Sequence, residues 1–207
     1  MALREDQILR YSRQILLKDV GGRGQEALLE GGARLEGAGP AGLTAAAYLA
    51  AGGTPVVASE AKVGPATVGF LVSADDIGHP ASEVLARVLP EVNPDATTPR
   101  EGGRIAELPA AWNGEAPWVA LGGDGATRGA VVFRGSQGCV WCFGETVRTL
   151  SAPPNGVLGV ALGTLGALVF QRLRLGMGPE LGGRWLVAPG QMAELELRRC
   201  ARCSEAK

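Results

Sequence analysis

Three glycines at G-x-G-x-x-G spacing, Gly37, Gly39 and Gly42 in the run Gly37-Ala38-Gly39-Pro40-Ala41-Gly42, head an alanine- and leucine-rich stretch and narrow the folds open to this chain. The pattern is that of a turn from strand into helix. Two of the glycines let the backbone bend tightly and approach a pyrophosphate, and the third lets the helix pack close to its strand. The helix N-terminus then offers unpaired N–H groups to the anion. The spacing predicts an α/β fold, a Rossmann-like doubly wound sheet, with Gly37, Gly39 and Gly42 beside a nucleotide's phosphates. Residues 33–36 supply the strand ahead of the turn, and 41–51 the helix after it, stopped by Gly52-Gly53. Arg34 and Glu36 stand where a central parallel strand is ordinarily aliphatic, so this strand is poorly specified. Glu36 also sets a carboxylate beside the turn, where it would repel a phosphate.

Around this unit, 207 residues with 46% hydrophobic content suffice for one core, so a single domain is expected. It divides into N-terminal helices over 1–30, a nucleotide-binding-type half over 31–100 and a second half over 118–207. Residues 4–17 place Ile8, Tyr11, Ile15 and Leu16 at helical spacing, and 24–29 form a short second helix. Residues 55–58 read as the second strand, closing in Ser59-Glu60. Glu60 lies where dinucleotide folds hold a ribose hydroxyl; a solvated strand end is the other reading. A helix over 82–89 takes Ser82 as its N-cap. The Pro-, Gly- and Ala-rich stretch 93–117 reads as a loop. Residues 119–133 supply strand material, and Ala193, Leu195 and Leu197 alternate with charged neighbours as in a half-buried strand. The apolar run 157–170, broken by glycines, is shorter than the roughly 20 residues a bilayer span needs and reads as a buried helix packed through those glycines.

Twenty basic and 21 acidic residues leave a net charge of −1, which gives no electrostatic case for nucleic acid or an anionic membrane as partner. The charged residues at the start do not resemble a secretory leader, so a cytoplasmic location is expected.

All four cysteines fall in two C-x-x-C pairs, Cys139/Cys142 and Cys200/Cys203. Two intervening residues let paired thiolates reach one tetrahedral ion, and two pairs close a four-sulfur zinc site with no open coordination position. Such a site is structural and staples the C-terminal segment to the domain; disulfides or free thiols are the other readings. The lone His79, between Gly78 and Pro80, reads as a loop residue, and Trp112, Trp118, Trp141 and Trp185 as packing residues.

The order of Arg10-Tyr11-Ser12-Arg13-Gln14-Ile15, Gly24-Gln25-Glu26-Ala27-Leu28, the glycine turn, Asp76-Ile77-Gly78 with Pro80 and Glu83, Asn93-Pro94-Asp95, Gly156-Val157-Leu158-Gly159 and the cysteine pairs resembles the ThiF/MoeB/HesA family, prokaryotic relatives of ubiquitin-activating enzymes. The resemblance implies a dimeric Rossmann-like protein that binds ATP and magnesium and adenylates the C-terminus of a ubiquitin-fold sulfur carrier. It places Arg13 at the family's N-terminal arginine, which reaches across the dimer to the partner's nucleotide. The scaffold positions match; those of the chemistry do not. The family's Asn/Arg/Gln run falls on Gly64-Pro65-Ala66-Thr67-Val68-Gly69, and its lysine after the Gly-x-Pro step falls on Ala81. Its magnesium-binding aspartate belongs to a segment compressed here between Ile105 and Val119, a role Asp124 does not take over. Pro153-Pro154 stand in place of a cysteine found in many members.

Adenylyl transfer depends on cations that neutralise developing charge, so these replacements imply a pseudoenzyme, a subunit of a homodimer or of a heterodimer with an active relative. The alternatives are an active adenylyltransferase and, because Gly37 to Leu43 followed by Glu60 also fits the flavoprotein fingerprint, a flavin- or NAD-binding protein.

Overall fold

Alternation places Ala33 and Leu35 in the core and Arg34 in solvent, and Ala33–Glu36 forms the strand β1. The computed structural model describes residues 2–69, 71–96, 102–108, 118–124, 127–133, 140–150, 152–154, 156–177, 183–187, 191–196 and 198–204. Within them β1 lies between β2 (Val56–Ala58) and β3 (Gly103–Glu107), parallel to both. β4 (Val119–Gly123) runs parallel to β3. β5 (Arg128–Phe133), β6 (Gly183–Val187) and β7 (Gln191–Leu195) then follow antiparallel, giving the order β2-β1-β3-β4-β5-β6-β7.

Helices cover both faces. Leu35, Ile105, Leu121, Val131 and Phe133 point to one side, into a core shared with α4 (Pro40–Ala51), α5 (Ala81–Val92) and α7 (Gly156–Arg174). Ala120, Ala130 and Val132 point to the other, against Phe143 and Val147 of α6 (Val140–Val147). The arrangement is the doubly covered, Rossmann-like sheet that the glycine turn predicts. Leu162, Ala167 and Phe170 of α7 are buried, and Phe170 stacks on Trp118 at 5.4 Å between ring centroids. The contact between α4 and α7 is close because glycine permits it. A Cβ on Gly163 would stand 2.3 Å from the Ala41 carbonyl oxygen, and one on Gly159 2.8 Å from Pro40 Cβ. At 19 residues α7 exceeds the run expected from sequence and is long and apolar enough to cross a membrane; here its glycine face is buried on α4.

Three short motifs prove to be staples. Asn93 Nδ2 donates to the Tyr11 hydroxyl at 2.8 Å and to the Ala50 carbonyl near the end of α4 at 2.7 Å. Asp95 accepts from Arg4 at 2.7 Å, Gln7 at 3.2 Å and Tyr11 at 3.3 Å, and pairs with Arg10 at 3.1 Å. The buried Gln25 of α3 (Gly21–Glu30) donates to the Gly52 carbonyl at 3.1 Å. The N-terminal Arg-Tyr run, the Asn-Pro-Asp run and the Gly-Gln run therefore meet at one end of α4.

Several expectations need correction. The stretch 93–117, read as a loop, contains β3, a central strand, and β6 also went unread. Glu36 does not face the turn as a free charge: Arg104 of β3 pairs with it at 2.5 Å. Pro80, not Ser82, precedes the first residue of α5, and the Ser82 hydroxyl donates to Glu60 instead. The first amphipathic helix is broken at Tyr11 into α1 (Glu5–Arg10) and α2 (Ser12–Ile15), which leaves Ile8 48% and Leu16 83% exposed. Ala193 is exposed and Leu195 buried, while Leu197 lies outside the described residues.

Candidate functional site

The chain winds β1, α4 and β2 to one side of β1 and then lays β3 on its other side. At such a reversal of strand order the carboxyl ends of neighbouring strands diverge and leave a crevice, the usual ligand site of open α/β sheets. The glycine turn sits there. Gly37 has φ +104°, a conformation that favours glycine, and its N–H donates to Ser59 Oγ at 3.3 Å. Gly39 is the residue preceding α4, and Pro40 is its first helical residue, where a missing N–H costs nothing.

What the turn approaches is a side chain of the protein itself. Glu107, the last residue of β3, is 4% exposed. Its Oε2 accepts from the Gly42 N–H at 2.9 Å and its Oε1 from the Ala41 N–H at 3.2 Å, with the Gly39 N–H as a further donor. A Cβ added to Gly39 would lie 2.4 Å from Glu107 Oε1, one on Gly42 2.9 Å from Oε2, and one on Gly37 3.0 Å from the Glu107 carbonyl oxygen. Burial pushes the carboxyl up, and the Gly42, Ala41 and Gly39 N–H groups pull against that; the net direction is up. Sequence reading missed Glu107 because it lay in the supposed loop. No period-two signal marks it, because Ile105 and Glu107 fall on the same face of the strand, one apolar and one charged.

Beside the turn lies a cleft of about 270 Å³ between the start of α4, the 66–72 segment and the start of α7. Pro40, Leu43, Thr44, Thr67, Val157 and Val160 line it, and none of its described lining residues carries a charge. Glu60 is exposed at the end of β2 and accepts from Ser82 Oγ at 2.6 Å. Arg13 is exposed on α2. Asp124 accepts from the Thr127 and Arg128 N–H groups at 3.1 and 3.0 Å, which makes it a turn residue between β4 and β5. His79 is a loop residue, its Nδ1 3.5 Å from Glu83 Oε2.

The second constellation joins α6 to α8 (Ala201–Ser204). The sulfurs of Cys142, Cys200 and Cys203 lie within 4.8 Å of one another, and those of Cys142 and Cys200 are 3.6 Å apart. That spacing is far beyond the roughly 2.05 Å of a disulfide. It is near the roughly 3.8 Å that separates two thiolates on a tetrahedral zinc with 2.3 Å bonds. The three thiols could hold a metal ion; Cys139, the fourth expected ligand, lies outside the described residues, as do Trp112 and the Trp185 side chain. The guanidinium of Arg202 stands over the Trp141 ring, 5.4 Å from its centroid.

No protein-family model matches the chain. A 91-residue stretch is 40% identical to the sulfur carrier protein ThiS adenylyltransferase of Escherichia coli K12, covering 42% of this chain and 36% of that protein. The match thus spans about a third of the relative's length. Among solved structures, E. coli MccB with ATP superposes at TM-score 0.72 with 16% identity, covering 94% of this chain and 73% of MccB. The microcin C7 biosynthetic enzyme MccB in complex with N-formylated MccA gives TM-score 0.73 at 14% identity, with 94% and 74% covered. PaaA gives 0.68 at 16% identity, with 94% and 84% covered. These likenesses establish the class, a Rossmann-like α/β protein with its glycine turn at the strand reversal. The ThiS adenylyltransferase match and the order of the motifs add a likeness to the ThiF/MoeB family.

Proposed function

We propose that this chain is a ThiF/MoeB-type protein that has lost ATP-dependent adenylation and serves as a non-catalytic subunit or protein-binding scaffold in a sulfur-carrier or related ubiquitin-like pathway. The observation that carries the reading is the cleft beside the glycine turn, whose described lining residues are all uncharged. A triphosphate transferring its adenylyl group needs cations there. Loss of one such contact costs about 3 kcal/mol of transition-state stabilisation, and losing several removes useful rates.

The partner side of the reading is supported by what the relatives' names say they handle: a sulfur carrier protein for the E. coli adenylyltransferase, and MccA for MccB. A protein or peptide is accordingly the proposed partner. A dimer, homotypic or with an active relative, is supported by the exposed Ile8, Leu9, Leu16 and Leu17 around Arg13, which could then be donated in trans. The cysteine cluster is proposed to hold structural zinc, with Cys139 completing the set, and the cytoplasm is the compartment that suits this reading.

The second reading, an active adenylyltransferase, is favoured by the likeness to ATP-bound MccB. Calorimetry with Mg·ATP on zinc-replete protein separates the two. The proposal expects no saturable heat up to about 1 mM, the upper end of ordinary substrate affinities; micromolar binding would reinstate adenylation.

A further inference from the structure

The glycine turn has the backbone features of an anion site: amide donors at the start of α4 that no helical carbonyl can satisfy, glycines that admit a close neighbour, and a position at the strand reversal. Yet each of its three glycines, given a Cβ, would meet Glu107 first. The N–H groups of Ala41 and Gly42 that would face a phosphate are hydrogen-bonded to the Glu107 carboxyl. The group is 4% exposed, and its surroundings are set by burial and by those backbone donors. A carboxyl with two oxygens on two successive amides takes the place that two oxygens of a phosphate would take.

We propose that Glu107 is the resident occupant of the phosphate cradle: it satisfies the amides of α4 in cis and closes the turn to nucleotide phosphates, and cutting the side chain back opens an anion site. The closure applies to any ligand that must set a pyrophosphate on this turn, a dinucleotide as much as ATP. In either protonation state the carboxyl fills the space. The fold gains by it, because the buried start of α4 would otherwise leave N–H groups without partners. A side chain one methylene shorter would withdraw from the amides. Glu107 in this role is a positioning and blocking residue; it touches no substrate.

The proposal rests on the reading of the chain as a non-catalytic family member. Its test uses the full-length, zinc-replete protein titrated with inorganic pyrophosphate and followed at the backbone amides by 1H–15N spectra. Wild type is expected to show no saturable change up to about 1 mM, and Glu107→Gln, a neutral side chain of the same size, to behave the same way. Glu107→Ala is expected to show saturable shifts at Gly39, Ala41 and Gly42. Pyrophosphate shifting those amides in wild type, or failing to shift them in folded Glu107→Ala, overturns the proposal. The two ideas fail separately, since Mg·ATP bound away from those amides contradicts the non-catalytic reading and leaves the resident carboxyl in place. Should Glu107→Ala not fold, Glu107→Asp supplies the test by hydrogen exchange. Its amide protection at Ala41 and Gly42 should fall about tenfold relative to the rest of α4, the loss expected for hydrogen bonds to a carboxylate. Unchanged protection there overturns the proposal.

Discussion

Gly39 isolates the Glu107 contact at the scale of one residue. Its backbone, φ −88° and ψ 179°, suits any amino acid, so the first obstacle to a methyl group there is the carboxyl 2.4 Å away. Gly39→Ala should cost about 1–3 kcal/mol, as overpacking does, and much of that loss should vanish in a Glu107→Ala background. Strictly additive losses in the double-mutant cycle would show that the methyl group collides with something else. Tyr11 offers a second residue-scale test. Desolvation pushes its phenol up to about 12. Because the folded pKa is raised, the stability it contributes is complete below the unfolded value of about 10 and is lost as pH rises through about 12. The chain has two tyrosines. In a Tyr48→Phe variant, ultraviolet titration should find the remaining phenol ionising about two pH units above a free tyrosine; ionisation near pH 10 would mean that Tyr11 is not held as described.

The elements differ in how far their residues declare them. The glycine turn, α4 and the glycine-rich α7 were legible because periodicity and glycine spacing are local signals, as was strand material over 119–133, though not its division into the antiparallel β4 and β5. β3 was not, because two of its five residues, Arg104 and Glu107, are polar, and their partners Glu36, Ala41 and Gly42 lie more than 60 positions away. Polarity that marks a loop in one dimension marks a satisfied strand in three. The same blindness made Glu36 look like a hazard to a ligand and hid Glu107 altogether. Long-range partners also explain why the first helix was predicted too long: Tyr11 turns inward to Asn93 and Asp95, and the turn it makes splits the helix. Packing between α4 and α7 gives the prediction proper to this scale. Gly163→Ala must move the backbone of α4, at a cost of about 1–3 kcal/mol by denaturant midpoint, whereas Gly156, with open space where its Cβ would stand, should accept alanine within about 0.5 kcal/mol. Equal effects at the two sites would contradict the close contact.

Across the whole molecule, the motifs that carry the family resemblance are those that tie elements together. Asn93, Asp95, Tyr11 and Gln25 hold the N-terminal helices to the end of α4, and the cysteines of α6 and α8 join the sheet to the C-terminal segment. The described lining of the cleft beside the turn carries no charge while these staples are in place, the combination that the proposed scaffold role requires. If the cysteine cluster holds zinc, a strong chelator should lower Tm by about 5–10 °C, the effect of removing a ligand present at a hundredfold its Kd from a domain of this size. An unchanged Tm, or less than stoichiometric metal in the purified protein, would argue for free thiols. The central claim, that the family scaffold is kept and its phosphate cradle closed from within, is tested most directly by titrating Mg·ATP into 15N-labelled wild-type protein while observing Gly37, Gly39, Ala41 and Gly42. The account predicts amides that stay in place at millimolar ATP; saturable shifts at these four positions would contradict it.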